Sequence, residues 1–291
     1  MSDSVVQSDL LSPENIGPLV RNTIFSGHIR HWLQTDSTNL LASRAAAGAE
    51  ENSEPASEGE VFLAEEQTAG RGRGGHSWHS ERGVGIYCSV ILRPSITPSE
   101  TLWISLISAV AVQDAVREVT GHPTDIRWPN DLLANDKKFC GILTELSTEA
   151  TRVRHAIVGI GINVNQHAFP DELRESATSL RLETGREWSR VELTAALLKS
   201  LDREYRGLLR AVNSPERIPA RRFEPLLKRV EARSSYAFGK EVHVDEDGGY
   251  SGVTDGLDSQ GFLRVRTRYG VRMVISGSVR PLPRRPDAAS G

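Results

Sequence analysis

The segment Gly70-Arg71-Gly72-Arg73-Gly74-Gly75 constrains the fold more than any other. It sets four glycines and two arginines between an apolar strand candidate, Val61–Glu65, and the alternating run Val84–Leu92. Glycine permits positive φ and lets backbone amides approach an anion closely, and arginine supplies a planar fork for carboxylate or phosphate. By spacing alone the segment fits three descriptions: a loop closing over an anionic ligand, a plain turn with incidental charge, or an RGG-type RNA contact. In the run that follows, Val84, Ile86, Cys88, Val90 and Leu92 alternate with Gly85, Tyr87, Ser89 and Ile91. That period predicts a strand with at least one buried face.

Helix signals surround these strands. Asp36-Ser37-Thr38 precedes a run of helix formers that stops at Gly48, predicting a capped helix. Thr97-Pro98-Ser99-Glu100 combines a capping box with an early proline, and Trp103, Leu106, Ile107, Val110 and Ala111 form one apolar stripe up to Gly121. A second capping box, Ser189–Glu192, opens a helix carrying Leu197, Leu201, Tyr205 and Leu208, and Pro219–Val230 reads as one further helix. Asp125–Trp128 and Ala156–Val164 read as buried strands. After about Ser235 the texture changes to short strand candidates at 240–244, 250–253, 262–266 and 272–275. Turns at 247–249, 255–256, 260–261 and 269–270 separate them, as in a small antiparallel barrel or sandwich. Met1–Leu11, Glu50–Gly59 and Pro281–Gly291 read as tail, exposed loop and tail.

The 291 residues suffice for a large and a small domain. A formal net charge of −3 argues against a chain that lives on nucleic acid. No stretch reaches the ~18 apolar residues of a membrane span, and no secretory pattern opens the chain, so a cytoplasmic setting is the expectation. Cys88 and Cys140 provide neither a disulfide framework nor zinc spacing. Cys140 is either reactive or, more commonly, a small buried hydrophobe. The histidines show no metal spacing, so no protein-bound metal site is expected.

Four further motifs bear on chemistry. Trp128-Pro129-Asn130-Asp131 sets two short polar side chains at a strand end, where α/β folds bind ligands, or is an ordinary turn. Lys137-Lys138 precedes an apolar strand, so Lys138 is either drawn toward a buried site as a point charge or is a solvated loop residue. Gly159-Ile160-Gly161-Ile162-Asn163-Val164-Asn165 allows something to pack directly on the strand backbone, or is an edge with an Asx turn. Asp36-Ser37-Thr38-Asn39 is first a helix cap and second a place for a polar ligand head. GxSxG, HExxH and the GxxxxGK[ST] phosphate loop are absent.

Taken in order, DSTN at 36–39, QTAGRGRGG at 67–75 with Trp78, WPND at 128–131, KKFCGILTE at 137–145 and GIGINVN at 159–165 resemble the catalytic domain of biotin–protein ligases. The resemblance is close over Ile29–Asn165 and looser to Val230, and the segment ending in Ile275–Leu282 is similar to that family's C-terminal SH3-like domain. It implies an α+β fold of the class II aminoacyl-tRNA synthetase-like type. A central mixed β-sheet carries flanking helices on one side, and a small C-terminal SH3-like β-barrel follows. The implied division is 1–28 as tail and lead-in, 29–233 catalytic, 234–282 SH3-like, and 283–291 tail.

The implied reaction has two steps. Biotin and ATP, with Mg²⁺ accompanying the nucleotide, give biotinyl-5′-AMP and pyrophosphate. A lysine of a biotin carboxyl carrier domain then takes the biotinyl group and releases AMP. Carried over residue by residue, Ser37, Thr38, Asn39 and Gln67 face the biotin head. Gly70, Arg71, Gly72 and Arg73 belong to the loop that orders over biotin and adenylate. Lys138 bridges the biotin carboxylate and the α-phosphate and, with Arg73, is the catalytic expectation. Gly141, Gly159 and Gly161 let ligand lie against the strands. Trp78, Asn130 and Asn163 meet the nucleotide, together with Arg71, Arg73 and Lys138. Asp131 helps organise Mg²⁺ or the loop. The partner implied is the carrier domain, with no membrane, for a monomer or a homodimer. Only about 35 residues precede DSTN, against ~40 for an unaided fold, so no DNA-binding domain and no repressor activity are expected. Gly74 stands where some members carry a third arginine, which removes support for dimer regulation through that position. Lipoate–protein ligases and octanoyltransferases share the fold, but GRGRGG and WPND favour biotin. Against the RNA reading stand the acidic balance and the lack of aromatics within Gly70–Gly75.

Overall fold

The computed structural model describes residues 9–49, 54–216 and 219–282. Strands β1 (Ile29–Trp32), β2 (Val61–Ala64), β3 (Gly85–Leu92), β4 (Asp125–Arg127), β5 (Asp131–Ala134), β6 (Lys137–Thr148) and β7 (Val153–Asn163) form one mixed sheet. Its order is β1-β2-β3-β7-β6-β5-β4, with β1 and β2 parallel and the other neighbours antiparallel. The helices are α1 (Pro13–Ile16), α2 (Thr38–Ala47), α3 (Leu102–Thr120), α4 (Leu180–Thr184), α5 (Arg190–Val212), α6 (Pro219–Arg222) and α7 (Glu224–Glu231). A second, antiparallel sheet takes β8 (Phe238–Asp245), β9 (Tyr250–Leu257), β10 (Leu263–Thr267), β11 (Gly270–Val274) and β12 (Ser278–Pro281), in the order β11-β10-β9-β8-β12.

Successive strand side chains point to opposite faces, and the two faces of the first sheet have different lives. One presents Leu63, Cys88, Val90, Ile142, Val158 and Ile160 to the main core, which includes Trp103, Leu106, Val110, Leu197 and Leu201 of α3 and α5. The other presents Phe62, Ile91 and Ile157 to Ala42, Ala45 and Ala46 of α2 in a separate small cluster. The helices therefore lie on both faces, which corrects the one-sided arrangement. Because α2 is short and alanine-rich, it covers β2, β3 and β7 closely and leaves the rest of that face, over β6 and the far half of β7, open for a cavity.

Several sequence readings change in detail. Leu11 is fully buried, and Asp9 reaches Arg190, so this part of the lead-in belongs to the fold; residues 1–8 lie outside the described residues. Arg190 and Glu65 are both nearly fully buried and pair at 2.6 Å. Burial would raise the Glu65 carboxyl, but His31, Arg190 and the Leu11 amide outweigh it and hold the group at about 2. The expected helix Pro219–Val230 breaks at Phe223 into α6 and α7. Asp255-Gly256 is no turn but part of β9, and Ser278–Pro281 adds a strand that its short, mixed pattern hid. In the loop expected at 50–59, residues 50–53 lie outside the described residues. Ala56 is buried, and Glu58 accepts bonds from Arg93 N and Tyr205 Oη. The second sheet shares the main core through Val242, Leu263 and Val279, and the Trp128 indole donates to Gly261 O at 2.9 Å.

Candidate active site

A cavity of about 760 Å³ opens over the face left free by α2. Its floor is a glycine ladder. Gly141 pairs with Gly161, and Gly159 sits between Leu143 and Ser89. A methyl at Gly161 would stand 2.5 Å from the Trp78 indole, and one at Gly159 would overlap Asn39 Oδ1. The glycines therefore admit Trp78 and Asn39 onto the bare backbone, where the sequence reading had ligand lying.

One end of the cavity is neutral. Gln67 Oε1 accepts from Thr38 N at 2.9 Å and lies 3.1 Å from the Thr38 hydroxyl; Gln67 Nε2 donates to Ser80 Oγ at 2.9 Å. Ser89 Oγ donates to Asn39 Oδ1 at 2.6 Å and lies 2.8 Å from Thr38 Oγ1. The first amide of α2 is thus capped by Gln67, which joins Thr35 in a β-bridge, where the sequence pointed to the local segment Asp36–Asn39.

The other end is charged. Lys138 Nζ lies 2.5 Å from Asp131 Oδ1, and Arg127 donates to Asp131 Oδ2 at 2.7 Å. A bulge sets this up: Leu133 faces Lys138 while Leu132 faces Cys140, leaving Phe139 as the extra residue. An odd sequence spacing normally puts side chains on opposite faces, but the bulge brings Lys138 and Gly141 to the same one. There Lys138 Nζ stands 5.5 Å from the Trp78 ring centroid. Burial pushes the Asp131 carboxyl up, yet Lys138 and Arg127 prevail and hold it below the usual range. Burial also lowers the Arg73 guanidinium, against the attraction of Asp131 and Glu246. Arg127 and Lys138 thus share Asp131, and with Arg73 the three cations outnumber the two carboxylates and leave a positive excess for an anion.

The glycine-arginine segment is a small hairpin. Trp78 N donates to Gly70 O at 2.9 Å, Gly72 N to His76 O at 2.6 Å, and Arg71 bridges Ser77. It crosses the cavity mouth, with Arg73 donating to Ser276 O at 2.5 Å and Arg71 pairing with Glu145 at 3.0 Å.

The structure brings Ser37, Thr38, Asn39, Gln67, Arg71, Gly72, Arg73, Trp78, Asn130, Lys138, Gly141 and Gly159 to this one cavity, with Gly161 beside them. Gly70 and Asn163 are not on its wall. Gly70 packs against Trp78 O and Ser80, and Asn163 is turned into its own loop, donating to Thr178 O at 3.1 Å. Asn165 likewise bonds Trp188. Asn130 lines the wall but spends its amide on Ile142 O at 2.8 Å. Asp131 has both oxygens paired with cations, Oδ1 with Lys138 and Oδ2 with Arg127. Among the described residues no group of three or more His, Cys, Asp or Glu could hold a metal ion. Cys140 is buried, and burial raises its thiol far above the ordinary value, so it is an inert core residue. Sequence reasoning missed Arg127, Glu145, Ser89 and the second sheet's Asp245, Ser276 and Arg280. Arg127 and Ser89 had a signal, as polar residues within strands; the others depend on tertiary placement.

The cavity thus joins a neutral hydrogen-bonding end to a cationic end suited to an anion. A family model described as biotin/lipoate A/B protein ligase matches residues 33–163. The bifunctional ligase/repressor BirA of Bacillus subtilis is 37% identical over 83% of this chain and 72% of its own length. The biotin–[acetyl-CoA-carboxylase] ligase of Mycobacterium tuberculosis is 34% identical over 84% of this chain and 86% of its own. The solved biotin protein ligase of Aquifex aeolicus in complex with biotin and ATP superposes with a TM-score of 0.72 at 31% identity, covering 88% of this chain and 100% of that one. The chain belongs to the biotin–protein ligase family.

Proposed function

We propose that this protein is an ATP-dependent biotin–protein ligase that biotinylates a lysine of a carboxylase's carrier domain. The observation that carries the reading is the polarity of the cavity: a neutral hydrogen-bonding end and a cationic end joined by a glycine floor. Biotin has the same polarity, with a neutral cyclic urea at one end and a carboxylate at the other. The family relationship and the biotin- and ATP-bound Aquifex structure support it.

In the first step a biotin carboxylate oxygen attacks the α-phosphorus of ATP, and the bond to pyrophosphate breaks. Two anions must meet, so the largest contribution expected of the protein is electrostatic stabilisation and positioning. Lys138 is assigned the bridge between carboxylate and α-phosphate, supported by its pairing with Asp131 and its place over Gly141. Arg73 and Arg71 are assigned to charge neutralisation from the lid. Thr38, Gln67, Asn39 and Ser37 are assigned to the urea ring, with Thr38 and Gln67 exchanging their mutual hydrogen bond for bonds to it. Trp78 is assigned to the ligand's flat surface. In the second step the acceptor lysine amine attacks the acyl carbon, and AMP leaves with the electron pair.

Mg²⁺ is proposed to enter with the nucleotide, bound by its phosphates. The finer fold reading is likewise proposed: a class II synthetase-like catalytic region at 29–233 and an SH3-like barrel at 234–282, in a cytoplasmic enzyme. Its support is the mixed sheet followed by a five-stranded antiparallel one. The test is incubation with ATP, Mg²⁺, biotin and a carboxyl carrier domain, followed by a streptavidin blot. ATP-dependent labelling is expected; no biotin labelling beside lipoyl transfer would overturn the assignment.

A further inference from the structure

The lid hairpin is fastened on two sides. Arg73 is held by Ser276 O, in a turn that Glu246 organises by accepting from Ile275 N and Ser276 N. On the other side Arg71 Nη1 lies 3.0 Å from Glu145 Oε1, while Glu145 Oε2 accepts from Asn39 Nδ2 at 2.8 Å. Glu145 follows Gly141 and Leu143 along an unbroken stretch of β6, so its side chain rises from the cavity face of the sheet. A carboxylate on that face, among ligand-facing residues, is opposed by the lid's own arginine. It also touches Asn39, the side chain seated over Gly159.

We propose that Glu145 is a positioning residue: it holds Arg71 in the ligand-free protein as a stand-in for the substrate's anionic group, and releases it when that group enters. Carboxylate and substrate anion compete for the same guanidinium charge, and the present contact is a single one, Nη1 to Oε1, which a ligand able to take both prongs of the fork can outcompete. The Arg71–Glu145 pair is half-exposed, with side-chain exposures of 49% and 30%. Such a pair biases an equilibrium by about two- to fivefold. Such a bias favours the clasped lid over an empty site and is small enough for a charged ligand to displace. The handover rests on the reading of the cavity as the biotin and ATP site; the clasp itself does not.

Glu145→Gln removes the charge and keeps an oxygen for Asn39, so it isolates the clasp. The experiment uses the full chain, with Glu145→Gln, Arg71→Ala and the double variant. Limited trypsin digestion of the free protein, read as cleavage after Arg73, should run about two- to fivefold faster in Glu145→Gln. In the Arg71→Ala background the same substitution should add nothing. For adenylate formation, KM for biotin should fall by the same factor with kcat unchanged. Unchanged cleavage in Glu145→Gln, or an equal effect without Arg71, overturns the clasp. A biotin KM that stays or rises overturns the handover. The digestion needs no substrate, so its result stands even if biotin proves not to be the acid.

Discussion

The two ends of the cavity are built on opposite principles. At the neutral end Thr38, Gln67, Ser80, Ser89 and Asn39 are linked by uncharged hydrogen bonds, with one further bond from Asn39 to the Glu145 carboxylate at its edge, so recognition there should depend little on salt. At the cationic end Lys138 and Arg127 pair with Asp131 while Arg73 is attracted to Asp131 and Glu246, so three cations face two carboxylates and that end is complete only when an anion arrives. The difference assigns recognition to the first and chemistry to the second. Neutral bonds discriminate shape at about 1 kcal/mol each. Preorganised charge in a shielded site changes barriers by several times that.

The comparison can be broken from the cationic end first. Lys138→Ala should lower adenylate formation by about 10²–10³-fold, read as biotin-dependent pyrophosphate release, while circular dichroism stays native. Wild-type-like release would remove Lys138 from the chemistry. The acid limb of the same rate should lie below the ordinary carboxylate range. Asp131 has a depressed pKa, so its pairs persist above the free value and are lost only as the pH falls through the lowered one. An acid limb well above that range would show that some other group limits the rate.

The shared floor comes next. Gly161→Ala places a methyl 2.5 Å from the Trp78 ring, and overpacking of this kind costs about 1–3 kcal/mol. Urea unfolding should show that loss, together with weaker nucleotide binding; an unchanged midpoint would mean that Trp78 moves freely. The smallest effect is expected at the neutral end. Thr38→Val should raise KM for biotin by about two- to tenfold at unchanged kcat, equally at low and high salt. A drop in kcat, or a salt dependence, would erase the division between the ends.

Much of this site was legible because its parts are local. Gly70–Gly75 cannot be packed core, and the five motifs occur in an order that a chance sequence does not reproduce. The capping signals at Thr97 and Ser189 and the stops at Gly48 and Gly121 appear where the residue types put them. What stayed hidden depends on tertiary partners. The bulge at Phe139 is a property of the β5–β6 register, and it turns Lys138 toward the cavity. Asn163 resembles a ligand contact in sequence, but the loop reaching Thr178 claims it first. Trp78 and Asn39 occupy the glycine floor because a hairpin and a helix bring them there from far along the chain. Leu11 looked like tail because the charges that anchor it, Glu65 at its own amide and Arg190 at Asp9, are 125 residues apart.

The most direct measurement is ATP–pyrophosphate exchange without any carrier protein, with biotin or lipoate as the acid, in the native chain and Lys138→Ala. Exchange that requires biotin and is lost in the variant is the predicted result. Exchange with lipoate alone, or undiminished exchange without Lys138, would contradict the claim that this cavity joins biotin to AMP through its cationic end.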